Sequence, residues 1–349
     1  MSGGIAQLVA IGQQDAHIVG NPEISFFRST FKRHSNFSQS VERQVIQGNV
    51  SANGMSSVRI ERKGDLLSYV YLQPVNANGT QADASITDWT TVIDKVELLV
   101  GGQVIDTQDS TFTSLIAPKV LAQNLSKSRL GGLYEGGTAS GFYPLRFFFC
   151  ESWQNALPLV SLSYHDVELR ITWGASAASY KWECYANFAY VDTQEREFFA
   201  STPQKIIIHQ VQKAVASGAK VQELNLNHPV KCLTSANVST LNILSATNKL
   251  KLQINGTDVA DYKWAHPNFS TVTSYYHTTY ADSDTPKGLF LYPFCLDVSK
   301  AQPTGSLNFS RLDSARIVND TATCTDNIYA INYNILKLEN GMGGLLYSN

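Results

Sequence analysis

One β hairpin is written twice in this chain. Residues Asp94 to Gln108 read DKVELLVGGQVIDTQ and residues Asn248 to Asp261 read NKLKLQINGTDVAD; each is a strand-like run that meets a Gly-containing turn and leaves it as a second short strand. In the second copy Leu250, Leu252 and Ile254 alternate with Lys249, Lys251 and Gln253, the period of a strand with one buried face. Asn255-Gly256 supplies the positive φ that a tight hairpin requires. Two further echoes keep the same order: Leu162 to Ile171 (LSYHDVELRI) is answered by Phe309 to Ile317 (FSRLDSARI), and Tyr185 to Asp192 (YANFAYVD) by Tyr329 to Leu336 (YAINYNIL). All three pairs lie roughly 150 residues apart, an ordinary domain size. The chain therefore reads as two copies of one β unit, and 349 residues suffice for each copy to bury a core of its own.

Local pattern fills in the units. Residues 1–24 carry Gly and Gln and end near the turn signal Gly20-Asn21-Pro22, which marks an N-terminal arm or short helix. The first unit, 25–201, has candidate strands at 40–47, 57–61, 66–72, 96–100, 103–107, 143–149, 167–173 and 184–192. Its best helical stretch is 110–123, where Pro118 is expected to kink or restart the helix. Loops are expected at 76–86 and 131–141. The second unit, 202–349, has candidate strands at 205–211, 221–226, 230–233, 250–254, 289–296, 306–310, 315–318 and 328–338. Many short strands with turn-rich spacers predict an all-β fold of sandwiches, and the short connection near Ser201-Thr202-Pro203 predicts that the two sit rigidly side by side.

Composition narrows the function. Charged residues make up only 16% of the chain against 43% hydrophobic, which predicts that partners cover much of the nominal surface. A net charge of −2 provides no field to draw a polyanion, so no direct sequence-specific nucleic-acid partner is expected. Lys32-Arg33-His34 is a local basic group, and its plainest reading is a solvated strand end. Cys150, Cys184, Cys232, Cys295 and Cys324 are odd in number and widely spaced without CxxC, so neither a disulfide framework nor a zinc site is signalled, and a reducing cytosol fits. The N-terminus lacks a basic leader and an apolar core, and no apolar run approaches the roughly 18 residues of a membrane span.

Five stretches, taken in order, resemble the double jelly-roll major capsid proteins of nucleocytoplasmic large DNA viruses, most closely those of algal viruses. They are Gly20 to Phe37, Ala156 to Val167, Asn225 to Lys231, Pro303 to Asp313 and Tyr329 to Asn349. The resemblance implies two tandem eight-stranded antiparallel jelly rolls with short helices in loops. It further implies a homotrimer presenting six sandwiches as a pseudo-hexagonal capsomer, which tiles the outer shell of a large icosahedral double-stranded DNA virus. Implied partners are further copies, neighbouring capsomers, minor capsid proteins and an internal viral membrane, with assembly in the host cytoplasm and residence in the virion. Lys32, Arg33 and His34 are then inner-face contacts. Family members often carry longer loops, so a flatter outer surface is expected here, and a smaller paralogue of the main shell protein is an open alternative.

Catalytic chemistry finds no footing. His165-Asp166 beside Glu168 reads as a turn, given the echo Leu312-Asp313, and Cys150 within Phe147-Phe148-Phe149-Cys150 reads as an inert thiol on a buried strand. Gly131 to Thr138 lacks the GK[ST] of a phosphate cradle, and the seven histidines show no HxxxH or HExxH spacing. No catalytic, cofactor-binding or metal residue is assigned, and no cofactor is expected. Phe26-Phe27, Tyr71 and Tyr275-Tyr276 read as core or interface aromatics. Asn78 and Asn268, each in an Asn-X-Ser/Thr triplet, and the neighbouring Asn76, which is not, are the expected glycan positions, on the family's implication that sugars need not follow the triplet rule. Two other classes are weighed against the shell protein: a lectin-like jelly roll, since fold does not fix function, and a glycoside hydrolase, which needs a carboxylate pair that does not stand out.

Overall fold

The computed structural model describes residues 2–9, 12–80, 86, 88–129, 134–135, 138–139, 141–237, 239–279 and 288–348. The chain divides after Asn36 into two compact units. In the N-terminal one, helices Ser2–Val9 and Ala16–Val19 flank a tight turn at Gln13–Asp15, where the Asp15 carboxylate accepts the Gly12 N–H at 2.6 Å. Irregular backbone follows, and Phe26, Phe27 and Phe31 lie exposed.

The second unit holds the strands. Its first half contains β1 (Phe37–Gln44), β2 (Met55–Arg59), β3 (Leu66–Val75), β4 (Ile93–Val100), β5 (Gln103–Asp109), β6 (Tyr143–Pro144), β7 (Leu157–Pro158), β8 (Val167–Trp173) and β9 (Lys181–Val191). Its second half contains β10 (Gln204–Ala214), β11 (Val221–Glu223), β12 (Pro229–Ala236), β13 (Lys249–Ile254), β14 (Thr257–Asp258), β15 (Leu289–Pro293), β16 (Leu307–Asn308), β17 (Ala315–Asn319) and β18 (Ile328–Glu339), followed by β19 (Met342–Leu345). One antiparallel sheet runs β1-β9-β3 with β6 and β7 sharing the far edge of β3; a second runs β2-β8-β4-β5. The second half repeats both: β10-β18-β12 with β15 and β16 on β12, and β11-β17-β13-β14. Strand n of the first half thus has the partners of strand n+9, and each half is an eight-position jelly roll whose last position is split between two short segments.

Local chemistry explains why these segments become strands. In β8, Val167, Leu169, Ile171 and Trp173 are buried while Glu168, Arg170 and Thr172 alternate outward, so only one register places the apolar set inside. The β4–β5 turn needs Gly101 at φ +57°, and a Cβ there would fall 2.3 Å from His165 Nδ1. At the β13–β14 turn Asn255 and Gly256 adopt φ 49° and 78°. The Asn255 Oδ1 also accepts the N–H groups of Asp313 and Ser314 at 2.9 and 3.1 Å, tying that hairpin to β17.

Several strand assignments differ from expectation, among them 289–296, which is a strand only to Pro293. Within 143–149 only Tyr143–Pro144 pairs; Phe148–Glu151 is a helical turn, with Phe148 and Phe149 edge to face at 5.3 Å. An all-apolar run carries no period, and here burial on every side is compatible with a helix. Segment 306–310 holds the two-residue β16 and then a tight turn at Phe309–Arg311, while 221–226 is a strand only to Glu223. In 110–123 a wide turn at Phe112–Ile116 leads into a helical turn at Ala117–Val120, and Pro118 sits at the seam where one gives way to the other. Parts of the loops at 76–86 and 131–141 lie outside the described residues.

Core residues form three groups. Val58, Leu72, Leu98, Ile171, Trp173 and Phe188 lie in the first sandwich, joined by Leu336 and Leu338 from the second half. Val230, Leu250, Ile317 and Ala330 lie in the second sandwich. The third group belongs to neither interior: Phe112, Ile116 and Val120 cover Cys232, Leu291, Tyr329 and Ile331 on the outer face of sheet β10-β18-β12. One sandwich therefore docks on the other through a built apolar junction.

Candidate assembly surface

The junction is polar at its rim as well as apolar at its centre. At the end of β5, Asp109 Oδ1 accepts the Phe112 N–H at 2.9 Å, while Oδ2 accepts the Tyr329 hydroxyl at 2.6 Å and the Lys213 ammonium at 2.9 Å. Asp106 Oδ1 accepts the Val211 N–H at 2.9 Å, and Oδ2 accepts Gln108 Nε2 at 2.8 Å. Behind the junction Lys231 is wholly buried, with its ammonium donating to the Lys300 carbonyl at 2.8 Å, and the His209 and Tyr333 rings meet at 5.2 Å.

Burial sets the protonation of this layer. It pushes Asp106 up to about 7 against the hydrogen bonds it accepts, and burial with the nearby Lys231 charge pushes His209 down to about 3. The two act oppositely. Asp106, raised, gives stability that is fully present below its ordinary 3.8 and is lost as pH rises through about 7; His209, depressed, gives stability present above 6.5 and lost as pH falls toward about 3. In melting curves from pH 8 to 5, Asp106→Asn is expected to lose ground against the unmodified chain as pH falls, and His209→Gln to gain it. Parallel profiles for all three would contradict these assignments.

The corresponding outer face of the first sandwich carries a groove among the described residues. Val70 and Leu72 of β3 face the core, whereas Tyr71 and Gln73 point outward beside Gln39 of β1 and Asn187 of β9, flooring a groove of about 840 Å³. Tyr71 stacks on Tyr185 at 5.3 Å and meets Phe142 edge-on at 5.8 Å. Beside them Arg146 Nη1 donates to Glu151 Oε1 at 3.1 Å. Three buried polar atoms on this groove make no hydrogen bond: Arg146 Nε, Asn187 Oδ1 and Glu151 Oε2, the last 3.7 Å from the Lys127 ammonium.

The residues singled out in the sequence fall as follows. Lys32, Arg33 and His34 are exposed in the N-terminal unit, short of β1, with His34 Nδ1 2.7 Å from the Ser35 carbonyl. Asn76 is tied into its own turn, accepting the Thr80 N–H at 2.8 Å, and Asn78 is exposed two residues on. Asn268 spends its amide on the Trp264 carbonyl at 2.9 Å. His165 Nδ1 lies 2.9 Å from the Gly343 carbonyl, and Asp166 pairs with Arg59 at 2.6 Å and Arg62 at 3.3 Å. Burial pushes the Cys150 thiol up to about 12, so it holds its proton at neutral pH. Among the described residues no group of His, Cys, Asp and Glu could hold a metal, and no helix is long and apolar enough to cross a membrane. Sequence reasoning passed over Arg146, Glu151 and Asn187; nothing short of the fold brings a loop, a helical turn and a central strand to one groove.

Two jelly rolls in tandem, docked face to flank, define a class of virus shell protein. The comparisons agree: residues 25–194 match the family described as major capsid protein N-terminus, and residues 234–344 match the large eukaryotic DNA virus major capsid protein. The chain is 32% identical to the major capsid protein of Pyramimonas orientalis virus and 29% identical to that of Paramecium bursaria Chlorella virus 1, with all of both chains covered in each case. A chain of the PBCV-1 virus capsid superposes with a TM-score of 0.74 at 26% identity, over 93% of this chain and 100% of that one. The Faustovirus major capsid protein shares the fold at a TM-score of 0.62. The chain belongs to the major capsid proteins of large eukaryotic DNA viruses. It is a structural protein of the virion.

Proposed function

We propose that three copies associate as a pseudo-hexagonal capsomer, and that such capsomers tile the icosahedral outer shell. The observation that carries this reading is the repeated strand order, n matched by n+9, because a trimer of duplicated sandwiches presents six near-equivalent flanks from one gene product. Weak lateral contacts between many capsomers then sum to a stable shell. In this reading residues 1–24 are an arm and 25–201 and 202–349 the two jelly rolls. The arm and Lys32, Arg33 and His34 face inward, toward minor capsid proteins or an internal membrane, and glycans, where present, sit on outward loops around Asn76, Asn78 and Asn268. Assembly takes place in the host cytoplasm, and the protein catalyses no reaction.

Sedimentation of the purified chain tests the capsomer: a species at three times the 38.4 kDa chain mass is expected without any ligand, and a monomer would defeat it. Deleting residues 1–20 tests the arm. Capsomers are expected to persist while shell assembly fails, and unimpaired shells would refute the inward placement.

A further inference from the structure

Between the helical turn Ala16–Val19 and β1 the chain mixes aromatic rings and cations. From Ile24 to Asn36 it reads ISFFRSTFKRHSN, with the cations Arg28, Lys32 and Arg33 and no carboxylate, in a chain whose net charge is −2. Phe26, Phe27 and Phe31 are 92%, 99% and 87% exposed. Single exposed apolar side chains are ordinary, but three phenyl rings this close together are not. The backbone holds two of them outward. The Ser25 hydroxyl accepts the Phe27 N–H and the Ser25 carbonyl accepts the Arg28 N–H, each at 3.4 Å, so Phe26 and Phe27 form the corner of a tight turn. Beyond that corner the backbone runs without helix or strand as far as β1. Among the described residues no carboxylate pairs with Arg28, Lys32 or Arg33, and all three are exposed. Rings and charges alike are left to solvent.

We propose that residues 24–36 dock the chain on an anionic lipid bilayer, with Phe26, Phe27 and Phe31 entering the boundary between headgroups and acyl chains and Arg28, Lys32 and Arg33 lying on the charged headgroups. The inference rests on the inward placement of the arm and names the surface met there. Spacing carries it. Arg28 follows the Phe26-Phe27 corner directly and Lys32-Arg33 follows Phe31 directly, so each apolar group has a cation beside it. An interface that is apolar below and anionic above satisfies both at once, because long basic side chains reach back to the headgroups while their stems cover apolar surface. A protein partner would need a pocket for each ring and a carboxylate for each cation at matched positions. A bilayer needs no such match, which suits a stretch without regular secondary structure. A nucleic acid would meet only three cations on a chain of negative net charge. In a trimer the three arms act together, since the second and third bind at the effective concentration that the first sets.

The test is cosedimentation of the full chain with vesicles of two parts phosphatidylcholine to one part phosphatidylserine, set beside vesicles of phosphatidylcholine alone. Binding to the mixed vesicles that weakens with added salt is expected, with binding to the neutral vesicles at least about tenfold weaker. Each cation near an anionic surface contributes about fivefold, so Arg28→Gln/Lys32→Gln/Arg33→Gln is expected to weaken binding about 100-fold. Phe26→Ser/Phe27→Ser is expected to weaken it at least about tenfold, whereas Phe26→Leu/Phe27→Leu, which keeps an apolar corner, is expected to hold it within about threefold. All five side chains are exposed, so melting and sedimentation of each variant are expected to match the unmodified chain. No binding to the mixed vesicles, equal binding to both kinds, or undiminished binding in either the glutamine or the serine variant would overturn the lipid assignment. Retention of a random-sequence oligonucleotide without retention of vesicles would overturn it in favour of nucleic acid. None of these results bears on the inward placement, which the deletion of residues 1–20 tests with residues 24–36 intact.

Discussion

Trp173→Ala is expected to cost about 3–5 kcal/mol of folding stability, the usual toll for emptying a buried aromatic site. Trp173 closes β8 and is wholly buried, its ring 4.9 Å from that of Trp182, which in turn meets Trp89 at 6.2 Å. Three indoles from β8, β9 and the turn before β4 thereby knit both sheets of the first jelly roll at one end. The substitution also strands a polar group. Trp173 Nε1 donates to the buried Ser56 hydroxyl at 2.8 Å, and an alanine leaves that oxygen without its donor. Trp173→Phe keeps most of the ring volume and is expected to cost less than Trp173→Ala. Denaturant unfolding would check both, and a loss below about 1 kcal/mol for the alanine variant would show that the cluster is not the anchor described here.

Asp109→Ala should have the second largest effect, about 2–4 kcal/mol, through three losses at once. The wide turn loses its cap at the Phe112 N–H, the Tyr329 hydroxyl loses its acceptor, and Lys213 loses its counter-ion. The exposed half of the Lys213 pair contributes least, because solvent screens it. Two of these three partners lie in the second jelly roll, so the variant should also loosen the coupling between halves. In a calorimeter the unmodified chain is expected to unfold in one transition and Asp109→Ala in two. Asp109→Asn retains an acceptor for the cap and is expected to fall between them. A single sharp transition in the alanine variant would mean that the apolar junction alone couples the sandwiches.

How much of this was legible before the coordinates depended on whether a segment has one wet face. Strand β8 was readable to the residue because Val-Glu-Leu-Arg-Ile-Thr-Trp alternates without a break. The hairpin β13–β14 was readable because Asn-Gly demands its backbone. Duplication was readable from three echoes, and it delivered the topology of one half from the other. Phe147 to Cys150 misled because a segment buried on all sides carries no period. The junction was hidden for a different reason. Phe112–Ile116 covers Cys232, Leu291 and Tyr329, segments far from it in the sequence, and no local pattern encodes such a pairing.

An image of the isolated capsomer viewed down its threefold axis bears most directly on the claim that the two halves are equivalent building units. Six lobes at near-equal spacing are expected. Three lobes would contradict it.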